Sequence, residues 1–356
     1  LKIIFNYNLF PCSPCVPWIK KDRWDFRKEE MMRTRIYEHV VELPDFPCRK
    51  YFHSRQLMQI YEDAQRQKPY MVVVSDDDEQ VVAHLLAVVR QHRLWIPPFL
   101  MQHAWIIGEG EYERGVNNRE EVFDMMVSAL KNKLQHQVLY FELLGFEQKM
   151  FGYGALRRMD FFPVKWMSVH NSLHSAPPQD RISERLLHRI ENGIARGAVT
   201  KKVENDEEFD AFFKLLSQYN WLKPYHYQPP ASFFRSLMDD GHCQIFITLF
   251  HGHVIGAAVC IYSENDVYLW YSAARRKSMA PLHPLSVTLW KAMTDAHEAG
   301  YDHVRFLNVG MPFRRNPYRD FILRFGGKEC STYRWFLTPI KWVNHFFTWL
   351  WRIIGI

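Results

Sequence analysis

Three consecutive cations, Arg275-Arg276-Lys277, stand shortly before Pro284 and an apolar run from Leu285 to Ala299. In that run Leu285, Leu289, Ala292, Met293 and Ala296 recur at the spacing of one helix face, and Gly300 follows as a stop. A helix N-terminus offers unpaired N–H groups and partial positive charge, so a phosphate held there by the triplet would be doubly favoured. The plain alternative is a solvated basic loop. His283 falls at or beside the N-cap, which favours capping or packing over a role as base. Arg314, Arg315, Arg319 and Arg324 gather around Pro317. That cluster could close over an anionic donor or acceptor, or pair with acidic groups elsewhere. Cys12-Ser13-Pro14-Cys15 has neither a second cysteine pair nor a histidine pair at metal spacing, so no metal site is expected. No Cys–His or Ser–His–Asp pairing can be drawn from spacing, so a covalent enzyme intermediate is not expected.

Composition narrows the field. The 356 residues are 47% hydrophobic, 15% aromatic and 24% charged, with 16 Gly and 19 Pro. Those fractions exclude disordered, collagen-like and small disulfide-stapled chains, and the length allows two domains with a core each. Six cysteines read as reduced thiols in a cytosolic protein. The net charge of +6 is unevenly spread. Residues 1–35 carry eight Lys/Arg against four Asp/Glu, and residues 310–356 carry eight against two, so the middle is net acidic. A uniformly basic DNA binder is therefore not expected. Residues 1–30 are Pro-punctuated and without period, and are expected to form a peripheral extension.

The remaining chain gives two similar runs of strands and helices. In the first, a helix over Arg55–Gln65 precedes strands at Tyr70–Ser75, Val81–Val89 and Ala104–Ile107. A helix from Glu120 to about Leu134 and strands at Val138–Leu143 and Lys165–Ser172 follow. The second run has a basic helix, Ile182–Ala195, closed by Gly197, and a short strand, Ala198–Val203. Asn205 with Glu208 makes a capping box for the helix Phe209–Tyr219. Strands follow at Gln244–Phe250, Val254–Ser263, Val267–Ala273, His303–Leu307 and Lys328–Leu337. The expected class is mixed α/β: two mixed sheets flanked by helices, over residues 33–178 and 179–338, after an extension at 1–32 and before a terminal helix at 339–356. No Gly-rich phosphate loop follows a strand, and there is no G-x-S-x-G or H-E-x-x-H. Nucleotide hydrolysis, dinucleotide chemistry, serine hydrolysis and zinc proteolysis lose their usual support.

Two apolar strands across a tight turn lead through Gly256-Ala257 to Tyr268-Leu269-Trp270-Tyr271-Ser272-Ala273-Ala274. A Pro-started helix, Val304-Arg305-Phe306-Leu307-Asn308 and Phe321-Ile322-Leu323-Arg324-Phe325-Gly326-Gly327 complete the order. This succession resembles the FemAB-like branch of the GNAT acyltransferase superfamily, whose members carry two GNAT-like domains. The resemblance implies transfer of an acyl or aminoacyl group to an amine, with acyl-CoA or aminoacyl-tRNA as co-substrate and no tightly bound cofactor. It implies a small-molecule or lipid-linked amine acceptor, such as a cell-envelope precursor, and a cytoplasmic protein working at the inner face of the membrane. By the family's layout the donor lies where two parallel strands splay, so Tyr271 and Asn308 would supply a hydroxyl and an amide there. The same layout favours Arg275, Arg276, Lys277 and His283 as donor-binding residues, while Arg314, Arg315, Arg319 and Arg324 are candidates for the acceptor or another anion from their clustering alone. Two departures stand out: the phosphate segment Arg275–Ala280 has no glycine, and Phe321-Ile322 replaces the family's frequent Phe-Lys. A non-catalytic binding or scaffold module of the same fold is the alternative.

The last stretch, Ile340–Ile356, has its own pattern. Lys341, His345, Thr348 and Arg352 recur at i, i+4, i+7 and i+11, while Trp342, Val343, Phe346, Phe347, Trp349, Leu350, Trp351, Ile353 and Ile354 cover the rest. The segment is too short and too charged to span a bilayer. An interfacial membrane helix and a helix packed on protein are both open.

Overall fold

The computed structural model describes residues 32–93, 100–146, 150–221, 227–275 and 278–354. The expected extension with Cys12 and Cys15 lies outside the described residues, as do Arg276 and Lys277. In chain order the strands are β1 (Arg33–Tyr37), β2 (Gln67–Ser75), β3 (Val81–Arg93), β4 (Leu100–Ile107), β5 (Glu111–Tyr112), β6 (Tyr140–Leu144) and β7 (Phe162–Ser172). They continue as β8 (Val199–Lys202), β9 (Cys243–Phe250), β10 (His253–Ser263), β11 (Asp266–Ala274), β12 (His303–Phe306) and β13 (Lys328–Leu337). The helices are α1 (Arg55–Asp63), α2 (Arg119–Leu134), α3 (Tyr153–Arg158), α4 (Pro178–Arg181) and α5 (Glu184–Ala195). They are followed by α6 (Asp206–Asn220), α7 (Ala231–Asp239), α8 (Pro284–Glu298), α9 (Pro317–Leu323) and α10 (Lys341–Ile354).

Local chemistry explains many of these elements. Ser54 caps α1 by accepting from the Leu57 N–H, and Asn205 caps α6 by accepting from the Glu208 N–H at 2.9 Å. His251 and Gly252, both at positive φ, form the two-residue turn between β9 and β10, the twist that an antiparallel hairpin needs. Sequence periodicity had no purchase on β1, α7 or α9. β1 is a short strand paired only with β2. The other two are short helices of nine and seven residues, begun by Pro230 and by Asn316-Pro317.

The strands form one mixed sheet in the order β1-β2-β3-β4-β6-β13-β7-β12-β11-β10-β9-β8. The two expected sheets are thus continuous. β13, late in the chain, is inserted antiparallel between β6 and β7, and β7 pairs on its other side with β12. Gly326-Gly327 carries the chain into β13. Gly326 has φ +87°, and a Cβ on either glycine would run into the Arg181 backbone or the Asn171 side chain. The Phe-Gly-Gly motif therefore has a packing role here.

One face of the sheet carries a shared core. Leu57, Ile60 and Tyr61 of α1 pack there with Phe212, Phe233 and Phe234 of α6 and α7. Phe52 meets Tyr268 edge-on at 4.9 Å, and Trp105 stacks with Trp270 at 6.0 Å. The opposite face carries two cores: one under α2 with Trp335 and Leu337 of β13, the other under α5 and α8.

Two histidines inside this framework must stay neutral. His53 is 1% exposed, and both its ring nitrogens face backbone N–H groups, of Leu86 and of Gly110, at 3.2 Å. A neutral ring accepts from one of them and an imidazolium from neither. Burial holds its pKa well below the ordinary 6.5, and burial with nearby Arg90 takes that of His103 down to about 3. The unfolded chain binds protons at these sites where the fold does not, so stability is complete above about pH 6.5 and falls as pH drops. Chemical denaturation at about pH 5 should give an unfolding free energy lower than at pH 7 by on the order of 1–2 kcal/mol per histidine. A flat profile would contradict the neutral assignment.

Candidate active site

The parallel strands β11 and β12 are paired from Asp266–His303 to Leu269–Phe306. Beyond that pair they part, because β11 continues along β10 to Ala274 while the chain after Phe306 leaves the sheet. A bulge marks the parting point. Val259 pairs with Tyr271 and Cys260 with Leu269, which leaves Trp270 as an extra residue on β11. An extra residue bends its strand and breaks the ladder, so the β11 edge that faced β12 opens beyond Leu269. The resulting cleft, about 280 Å³, is lined by Tyr271, Asn308, Asn316 and Tyr318, with Tyr219 and Asn220 of α6 opposite. The matching end of the first half's parallel pair, β4 and β6, is filled. A Cβ on Gly145 would lie 2.6 Å from Glu109 Oε1, and one on Gly108 would lie 3.3 Å from the Phe146 ring.

A second cleft, about 200 Å³, adjoins the first and shares Leu269, Trp270, Tyr271, Leu307 and Asn308 with it. Its far wall comes from the first half and β13. Arg90, 6% exposed, lies under the ring of Trp105 at 3.2 Å and near that of Tyr227 at 4.9 Å. Its Nε and Nη2 are buried and have no hydrogen-bond partner among the described residues. Stacking on two rings, with the Tyr61 hydroxyl also near enough to feel its charge, offsets part of the cost of burying a guanidinium. His103 stacks on Tyr140 at 5.0 Å, and its Nδ1 also has no partner. Arg334 donates to Glu142 at 2.8 Å and lies over Trp166 at 4.3 Å. Burial pushes the Arg334 guanidinium below its ordinary pKa against the pull of Glu142, and pushes the phenol of Tyr140 up.

The structure brings two of the expected residues together. Tyr271 and Asn308 border both clefts, Tyr271 buried and Asn308 exposed on the loop after β12. Burial raises the Tyr271 phenol, so it is neutral and can donate a proton. Arg275 is exposed at the end of β11, its N–H bonded to the Ile255 carbonyl at 2.8 Å, and lines neither cleft. His283 occupies the N-cap of α8 with φ 46°, but its side chain makes no capping bond, contrary to expectation. Burial and the neighbouring Arg189 and Arg196 hold its imidazole below the ordinary pKa. Those two arginines of the α5 region add cations near the start of α8 that sequence order did not suggest.

The arginine cluster around Pro317 divides. Arg319 is engaged within the protein: it donates to the carbonyls of Met311 and Arg314 and pairs with Glu329 at 3.1 Å, which fastens the loop before α9. Arg315 pairs with Asp320 at 3.9 Å, while Arg314 and Arg324 are exposed and line neither cleft. The residues missed by sequence reasoning are Arg90, His103, Glu142 and Arg334. A faint signal existed for Arg90, since it extends the inward alternation Leu86, Val88 along β3 with a charge. Glu142 and Arg334 meet only because β6 pairs with β13.

Comparison with known proteins identifies the fold. Residues 181–315 match the family model described as an acetyltransferase (GNAT) domain. No curated protein matches the sequence. A solved FemX structure covers 84% of this chain and 94% of its own, with a TM-score of 0.57 at 10% identity. L-PGS from Bacillus licheniformis gives a TM-score of 0.53 at 9% identity, covering 84% of this chain and 92% of its own. A tandem GNAT protein from the clavulanic acid biosynthesis pathway gives 0.51 at 11%, covering 80% and 88%. Residues 181–315 are a GNAT acetyltransferase domain, set in a chain that shares the fold of FemX and the tandem GNAT proteins.

Proposed function

We propose that the protein is an N-acyltransferase that takes an acyl thioester such as acyl-CoA on the side of the open β11 edge and an amine bearing an anionic group on the Arg90 side. The observation that carries this is the pair of clefts meeting at Tyr271 and Asn308, one bordered by an open strand edge and the other by the buried guanidinium of Arg90, whose Nε and Nη2 find no acceptor at hydrogen-bond geometry among the described residues. In the reaction the neutral amine nitrogen attacks the thioester carbonyl, a C–N bond forms and the C–S bond breaks. The carbonyl oxygen becomes anionic in between, and the side-chain amide of Asn308 stands at the cleft to donate to it. The leaving thiolate takes a proton from the neutral phenol of Tyr271, and the proton that the nitrogen sheds on becoming an amide restores that phenol. His103 stays neutral at working pH and can orient the incoming amine without charge repulsion. The helix start at Pro284, with Arg189 and Arg196 near His283, would receive the donor's phosphates; Arg276 and Lys277 lie outside the described residues.

The acceptor belongs to small-molecule or lipid-linked amines, in line with what the names FemX and L-PGS suggest for relatives in fold. The lobe carrying the donor site is 179–338, less β13, which completes the sheet of lobe 33–178.

Mass spectrometry of the natively purified protein should find a bound CoA species, and acetyl-CoA should raise its melting temperature. A shift with charged tRNA and none with acetyl-CoA would replace the donor, and binding of neither would favour a scaffold. Replacing Asn308 by Ala should lower kcat on the order of 100-fold with little change in donor KM, as removal of one oxyanion donor does. Arg90→Ala should raise acceptor KM at least tenfold while donor KM stays level, and Arg90→Lys should not restore it, because an ammonium cannot stack between Trp105 and Tyr227. Equal loss for donor and acceptor would misplace the acceptor side.

A further inference from the structure

Helix α10 carries an aromatic stripe on the side away from the protein. Asn344, 5% exposed, faces the protein: its side chain accepts from the Thr338 N–H at 2.9 Å and donates to the Asp160 carbonyl at 2.8 Å. Phe347 stacks on Phe162 beside it at 6.3 Å. At about 100° per residue, the stripe opposite Asn344 is Trp342, Phe346, Trp349 and Ile353. All four are exposed, by 74, 51, 56 and 53%. A helix packed on its own domain presents its apolar stripe inward and its polar groups to water. Here a buried amide fixes the helix and the aromatic stripe points away.

One flank of the stripe carries the basic residues. Lys341, His345 and Arg352 are exposed along one side, and no Asp or Glu occurs after Glu329. Beneath that side a cleft of about 210 Å³ opens between α10, α3 and β7, with Arg157, Lys165 and Arg352 on its walls and no carboxylate among its lining residues. One amino group of Arg157 is engaged by the Phe161 carbonyl at 3.1 Å. Among the described residues no helix is long and apolar enough to cross a membrane.

We infer that α10 docks in the surface of an anionic bilayer, with Trp342, Phe346, Trp349 and Ile353 in the acyl boundary and a lipid phosphate in the Arg157–Lys165–Arg352 cleft. Two tryptophans at one depth suit the interface, where an apolar ring body and a polar N–H are both satisfied. Positive charge on the flank and on the cleft walls complements anionic headgroups and lacks the acid that a protein–protein salt-bridge partner would have left. The inference stands on α10 and the cleft beneath it and does not depend on the acyl-transfer reading.

Vesicle flotation of the full chain tests it. Binding to phosphatidylcholine vesicles containing phosphatidylglycerol should exceed binding to pure phosphatidylcholine by at least tenfold, and should weaken with salt. The double substitution Phe346→Ser with Trp349→Ser should cost more than tenfold on anionic vesicles and leave the melting temperature unchanged, since neither side chain is packed inward. Arg157→Ala with Lys165→Ala should remove the preference for anionic lipid and leave a residual affinity set by the apolar stripe. Equal binding to both vesicle types overturns the proposal, as does full binding by the double-serine variant. Self-association in sedimentation velocity that the double-serine variant abolishes, with no vesicle binding by the native chain, would assign the stripe to a second copy instead.

Discussion

The pairing of β13 with β7 and β6 is the constraint on which most else depends. Nine residue pairs, from Lys328–His170 to Phe336–Phe162, tie a strand near the end of the chain to one completed long before it. That single insertion makes the sheet continuous, seats Trp335 and Leu337 in the core under α2, and brings Arg334 to Glu142. It also fixes where the chain leaves the sheet, and so where α10 lies on Asp160 and Phe162. The Phe-Gly-Gly entry is closely packed: a Cβ at Gly326 would strike the Arg181 backbone and one at Gly327 the Asn171 side chain.

The site follows from a second, smaller irregularity. One extra residue at Trp270 ends the β11–β12 ladder and opens an edge, while the equivalent edge in the first half is blocked by Glu109 and Phe146. Two lobes of similar topology therefore do different work. One keeps an open strand edge, and the other supplies a polar wall of Arg90, His103 and Glu142 facing it. The division is physical, because a gap filled by a buried carboxylate and an aromatic ring cannot admit a ligand arm without displacing both.

Charge is handled oppositely at the two surfaces of interest. In the cleft, Arg90 is buried against the Trp105 ring with Nε and Nη2 lacking an acceptor among the described residues, a state that an anion in the cleft would relieve. Along α10 the cations are wet and the aromatic rings are exposed, so the unfavourable contact with water is made by the apolar stripe. Each surface is unfavourable when bare. The fold tolerates both because the shared aromatic core between α1, α6 and α7 is extensive.

What the sequence determined by itself was local and periodic. Alternation located most strands, helix-face spacing located α1, α2, α6 and α8, and Asn205 and Pro284 announced helix starts, because these signals depend on neighbours within a few residues. The order of elements in the second half sufficed to place Tyr271 and Asn308 at strand ends. Tertiary structure alone decided the rest. The insertion of β13, the contact of Arg334 with Glu142 and the use of Arg319 as a loop clasp join residues far apart in the chain, and no spacing rule encodes a long-range strand partner. For α10 the sequence specified both stripes but not which would face the protein. That was settled by one amide, Asn344, finding its partners at Thr338 and Asp160, where an unpaired polar group would otherwise have been buried.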